Sequence, residues 1–142
     1  MSSKEICKEI KLKLNEFLRN DNFETAKGSF PAWTKKINDK YLTVWFQSAR
    51  QGGQLTIEFQ CTNTPEPGSG KWNERKRFYG LLDRRSEKLH GFSQGSLSTK
   101  DDFWFEVKSL KDVEKITDWF KKNLNSLEEK MVKGGENETE TV

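Results

Sequence analysis

"KYLTVWFQSARQGGQLTIEFQC", residues 40–61, decides the fold. Its first half alternates with period two, placing Leu42, Val44 and Phe46 on one face and Thr43, Trp45 and Gln47 on the other. Its second half does the same, with Leu55, Ile57, Phe59 and Cys61 opposing Thr56, Glu58 and Gln60. The link "SARQGG" holds the glycine pair that a hairpin turn wants, so the two segments form antiparallel neighbours. A turn over 48–53 sets residues near 46 opposite residues near 55, and Glu58 near Phe46 or Thr43. The alternation also predicts one apolar face to be hidden and one wetter face left open to a partner.

Working outward, "AWTKKI", residues 32–37, reads as a preceding strand that ends in the turn "NDK". Later strands are expected at Arg77 to Leu82 and Phe103 to Lys108. Beyond the strands the period lengthens. Residues 3–20 place Ile6, Ile10, Leu14 and Phe17 at helical spacing, and Ser2 stands three residues before Glu5, the capping-box spacing. A second helix is predicted over 110–131, with Val113, Ile116, Phe120, Leu124, Leu127 and Met131 at steps of three and four and Ser109 with Asp112 at its start. The order helix, antiparallel strands, helix gives an α+β fold: a sheet of about five strands with both helices packed on one face. Residues 1–131 form the single domain expected, and the acidic stretch 132–142, which has no apolar period, reads as a disordered tail.

The chain has 142 residues, enough for one core and too few for two ordinary domains. Hydrophobic residues are 32% and charged residues 33%, a balance that would suggest disorder without the five Trp, ten Phe and two Tyr available for burial. A net charge of +3 permits an anionic partner without demanding one. Cys7, Cys61 and His90 cannot supply the usual four ligands of a structural zinc, and no cofactor motif is present. No apolar run approaches the ~18 residues of a membrane span, and the opening "MSSKEICKEIKLK" is charged. A protein of the reducing cytoplasm, not bound to membrane, is the expectation.

Two constellations could carry function. The first is Asp39 with Glu58-Phe59-Gln60. Spacing of two puts Glu58 and Gln60 on one strand face, and the pattern resembles the hairpin of restriction-endonuclease-like nucleases, where an Asp and a Glu-x-Lys hold a divalent metal and position water. Gln60 stands where that family has lysine, and Asp39 sits in ordinary Asn-Asp turn chemistry. The alternatives are therefore a remnant metal site and a strand with a polar outer face. Other catalytic templates are absent: there is no G-x-S-x-G, no H-E-x-x-H and no phosphate loop, the two cysteines fall on apolar faces, and adjacent Asp101 and Asp102 make a poor acid/base pair.

The second constellation is "KWNERKRFYGLLDRRSEKLH", residues 71–90. Lys71, Arg75, Lys76, Arg77, Arg84, Arg85 and Lys88 outnumber Glu74, Asp83 and Glu87 by seven to three, with Trp72, Phe78 and Tyr79 among them. Arginine pairs with phosphate or carboxylate, and rings stack on bases or fill pockets, so the run suits an acidic protein surface or a nucleic acid. A solvated strand edge protected by cations is the third reading. The modest net charge favours a protein partner, docked by Lys71, Trp72, Arg75, Lys76, Arg77, Arg84, Arg85 and Lys88.

The succession of an N-terminal helix, "AWTKK", "LTVWFQ", "LTIEF", "FYGLL", "DFWFEV" and a closing helix resembles small bacterial α+β domains. Some of these sit beside toxins or in defence systems as immunity or inhibitor proteins. The resemblance implies a binder rather than a catalyst.

Overall fold

A computed structural model describes residues 1–66, 75–77, 92–99 and 103–140. Helix α1 spans Ser3–Asn20. The capping box closes its start: the Glu5 amide donates to Ser2 Oγ at 3.1 Å, and the Ser2 amide donates back to the Glu5 carboxylate at 3.5 Å. Hydrogen bonding from Ser2 to the ionised carboxylate holds Glu5 below its ordinary range. The helix gives way at Asp21 and Asn22, the latter in the left-handed region that Asn tolerates (φ 67°). Its buried stripe is Ile6, Ile10, Leu14 and Leu18, while Phe17 is half-buried against it.

Helix α2 spans Leu110–Glu140. Asp112 Oδ2 accepts the Lys108 amide at 2.8 Å and the Ser109 amide at 3.3 Å, tying the segment just ahead of the helix to its first turn. Val113, Ile116, Phe120, Leu124, Leu127 and Met131 are buried, as their spacing predicts. The helix runs on past Met131 to Glu140. Propagating a helix that packing has already nucleated needs no second nucleation, so it can outrun the apolar stripe.

Among the described residues six strands form one antiparallel sheet: β1 Glu24–Thr25, β2 Ala32–Ile37, β3 Lys40–Ser48, β4 Gln54–Thr62, β5 Arg75–Arg77 and β6 Phe105–Glu106. The order is β1-β2-β3-β4-β5, and β6 pairs with β4 as well. Because β3 occupies one edge of β4, both short strands share the other, β6 opposite Gln54 and Leu55 and β5 opposite Glu58 to Gln60. Strand β1 is too short for a period to mark it. Of the strand expected at Arg77 to Leu82, only Arg77 lies among the described residues, and there the strand begins two residues earlier, at Arg75.

The β3–β4 register differs by two residues from the expectation. Ser48 faces Leu55, Phe46 faces Ile57, and Trp45 faces Glu58. The loop runs from Ala49 to Gly53, closed by the Ala49 amide on the Gln54 carbonyl at 2.9 Å. A shift of two keeps every side chain on its predicted face. Gly52 and Gly53 both take positive φ, 82° and 75°. At Gly52 a Cβ would also lie 2.5 Å from the Met1 carbonyl oxygen. The Gly53 amide donates to that same carbonyl at 2.9 Å, and the Gly53 carbonyl accepts the Val107 amide at 2.8 Å. The turn thereby ties the start of α1 to the exit of β6.

Under the helices, Leu42, Val44, Phe46, Leu55, Ile57 and Phe59 join the buried faces of α1 and α2 in one core. Phe120 meets Phe46 edge-on at 5.0 Å and lies nearly parallel to Phe59 at 6.3 Å. Trp33 packs on Phe46 at 6.0 Å and satisfies its indole N–H on Asn15 Oδ1 at 3.0 Å. These contacts place both helices on one sheet face.

Candidate binding surface

The opposite face was expected to be open, and it is not. Thr43, Trp45, Thr56, Glu58, Gln60 and Thr62 are all buried, with Glu58 4% and Gln60 0% exposed. Strands covered on both sides are usually apolar throughout, so a polar face that is buried must satisfy its polar groups inside the fold. It does so mainly on nearby backbone. Thr56 Oγ1 donates to the Phe103 carbonyl at 2.9 Å, Gln60 Nε2 donates to the Glu66 carbonyl, and Thr62 Oγ1 donates to the Thr64 carbonyl at 2.7 Å. Thr43 and Thr34 share a hydroxyl–hydroxyl bond of 3.1 Å across β3 and β2. Thus the segment entering β6 and the turn after β4 are held by the side chains that alternation had assigned to solvent. Alternation reports which side chains are polar, not whether something lies over them.

At the end of the hairpin the same device recurs. Gln54 accepts the Leu97 amide at 2.8 Å and donates to Ser96 Oγ at 2.9 Å, pinning residues 95–97 beside the turn. A side chain on Gly95 would collide with the Gln54 amide, 2.2 Å from its Oε1.

Glu58 occupies the middle of β4 opposite Trp45, whereas exposed Asp39 lies in the turn before Lys40. Six residues of extended chain from position 45 to position 39 amount to about 20 Å. Oxygen ligands sit roughly 2.0–2.6 Å from a magnesium or calcium ion, so one ion does not span Asp39 and Glu58. Among the described residues no three His, Cys, Asp or Glu side chains gather in a metal-binding group. Cys7 and Cys61 are half-buried, and the Cys7 sulfur lies 3.5 Å from Ser48 Oγ.

Of the basic run, Arg75, Lys76 and Arg77 form β5, directly opposite Gln60, Phe59 and Glu58 respectively. Lys71, Trp72, Arg84, Arg85 and Lys88 lie outside the described residues, as do His90, Asp101 and Asp102. Among the described residues β5 is the last strand on its side of the sheet. Three consecutive cationic positions thus stand at the sheet's margin, with the buried Glu58 on the neighbouring strand. No described helix is long and apolar enough to cross a membrane.

A different polar cluster joins Asp21, Lys35 and Glu128, drawn from the end of α1, from β2 and from α2. The sequence carried one signal of it, since Lys35 sits between Trp33 and Ile37 in the inward period of β2. No protein-family model, curated protein or solved structure matches the chain.

Proposed function

We propose that the chain is a non-catalytic binding module that docks a partner protein, in an immunity or inhibitor role within a bacterial or phage conflict system. The observation that carries the proposal is the placement of Arg75, Lys76 and Arg77, from the cation-rich run, in β5, whose three consecutive cationic positions form the margin among the described residues. Short, charged margin strands resist unspecific pairing, and arginines held on a rigid sheet meet carboxylates in a fixed geometry. The strand distance between Asp39 and Glu58 leaves the nuclease-like pattern without a shared ion at those two positions. Nucleic acid is the second reading, favoured by Trp72, Phe78 and Tyr79 interleaved with the cations.

The test begins with the full chain as bait in a native-cell pull-down, followed by binding measurements with the purified partner. Charge reversal at Arg75, Arg84 and Arg85 together with Arg77→Gln is expected to weaken binding roughly tenfold or more, with the melting temperature held. Glutamine is chosen at 77 because a glutamate there would stand directly opposite Glu58 and add a like-charge pair. Unchanged partner affinity removes the run from the docking surface. Titration of the wild-type chain with single-stranded and duplex DNA and with RNA separates the second reading, which requires affinity that falls steeply with salt.

A further inference from the structure

Lys35 Nζ lies 3.4 Å from Asp21 Oδ2 and 3.4 Å from Glu128 Oε1. The three side chains are only 18%, 32% and 13% exposed, so the charges meet largely away from water. Lys35 also rests over the ring of Phe23, the residue just ahead of β1, at 5.2 Å, which helps hold the ammonium in place. Two carboxylates around one ammonium leave an uncompensated negative charge when all three groups are ionised. Asp21 Oδ2 is buried and accepts no hydrogen bond of good geometry among the described residues. A proton on the neighbouring Glu128 carboxyl supplies that donor and removes the excess charge together.

We propose that Asp21, Lys35 and Glu128 form a proton-operated clasp that holds α2 against the corner of α1 and β2 and loosens when the Glu128 carboxyl gives up its proton. The charged groups facing Glu128 are Asp21 from the end of α1 and Lys35 from β2. Burial, reinforced by the hydrogen bond and charge of Asp21 and opposed by Lys35, pushes the Glu128 carboxyl up to about 7 from its ordinary 4.5. In the unfolded chain the group returns to the ordinary value. Between about pH 4.5 and about pH 7 the folded state therefore holds more protons than the unfolded state. Stability from this group is complete below that window and is lost as pH rises through about 7. The clasp needs only the three side chains and is independent of what residues 71–90 bind.

Glutamine at 128 mimics the protonated acid without titrating. The melting temperature of Glu128→Gln is expected to match wild type near pH 4 and to exceed it by about 5 °C near pH 8. Asp21→Asn, which removes the like charge and leaves Lys35, should bring the wild-type pH dependence down toward the ordinary carboxylate range. Carbon-13 NMR of the Glu128 carboxyl in the wild-type chain reads the titration directly, whatever the folding of the variants. A midpoint near 4.5, or melting curves for wild type and Glu128→Gln that stay parallel across the pH range, overturns the clasp.

Discussion

On the inner face of the β3–β4 hairpin, Leu42, Val44, Phe46, Ile57 and Phe59 meet helix side chains, whereas on the outer face Thr56, Gln60 and Thr62 meet backbone carbonyls. Both faces are closed to water, but different physics closes them. The inner face gains from every apolar contact, and a truncation there opens a void in addition to losing transferred area. The outer face gains little per hydrogen bond, since water offers nearly the same bond to the unfolded chain, but it loses heavily when one partner is left alone. Comparable burial thus predicts unequal responses to substitution, and three variants grade the difference.

Phe46 should give the largest effect. It is fully buried and touches Trp33 and Phe120, so Phe46→Ala removes two edge-on ring contacts along with the buried ring. A loss of about 3–5 kcal/mol is expected in urea denaturation. A loss below about 1 kcal/mol would mean that the helices can close over the gap, and that the inner face is not the rigid half of the comparison.

Gln60→Leu should follow. The substitution keeps the bulk at a fully buried position and withdraws the donor from the Glu66 carbonyl. The expected cost is about 1–3 kcal/mol, accompanied by faster amide exchange in the turn after β4 as the tether is lost. Wild-type stability and exchange would show that the outer face is closed by shape alone.

These contrasts mark what could be seen beforehand. The inner-facing residues were legible because a side-chain period of two or 3.6 is imposed by backbone geometry, and Leu42, Val44, Phe46 and Ile6, Ile10, Leu14 keep those periods over whole elements. The outer closure was not legible, because it depends on segments such as 95–97 and 103–104 returning to the sheet, and a residue like Gln54 carries the same letter whether it faces water or an amide. Strands β1, β5 and β6 have two or three residues each, fewer than a period needs to repeat. The ionic corner was hidden for another reason. Lys35 and Glu128 are 93 residues apart, and only the packing of α2 beside β2 turns them into neighbours.

The smallest effect is expected where both partners of an outer-face bond are replaced together. Thr34 and Thr43 stand opposite each other in β2 and β3 and satisfy one another at 3.1 Å, with Thr43 fully buried and Thr34 half-buried. Valine matches threonine in shape and in strand preference, so Thr34→Val with Thr43→Val deletes donor and acceptor at once and leaves no orphan. Denaturation midpoints should place the double variant within about 0.5 kcal/mol of wild type, well inside the cost expected for Gln60→Leu, where a carbonyl is abandoned. If the double variant instead loses more than about 1 kcal/mol, hydroxyl pairing itself stabilises this face. The distinction between a face held by contact area and a face that only avoids unpaired groups would then fail at the position built most simply to display it.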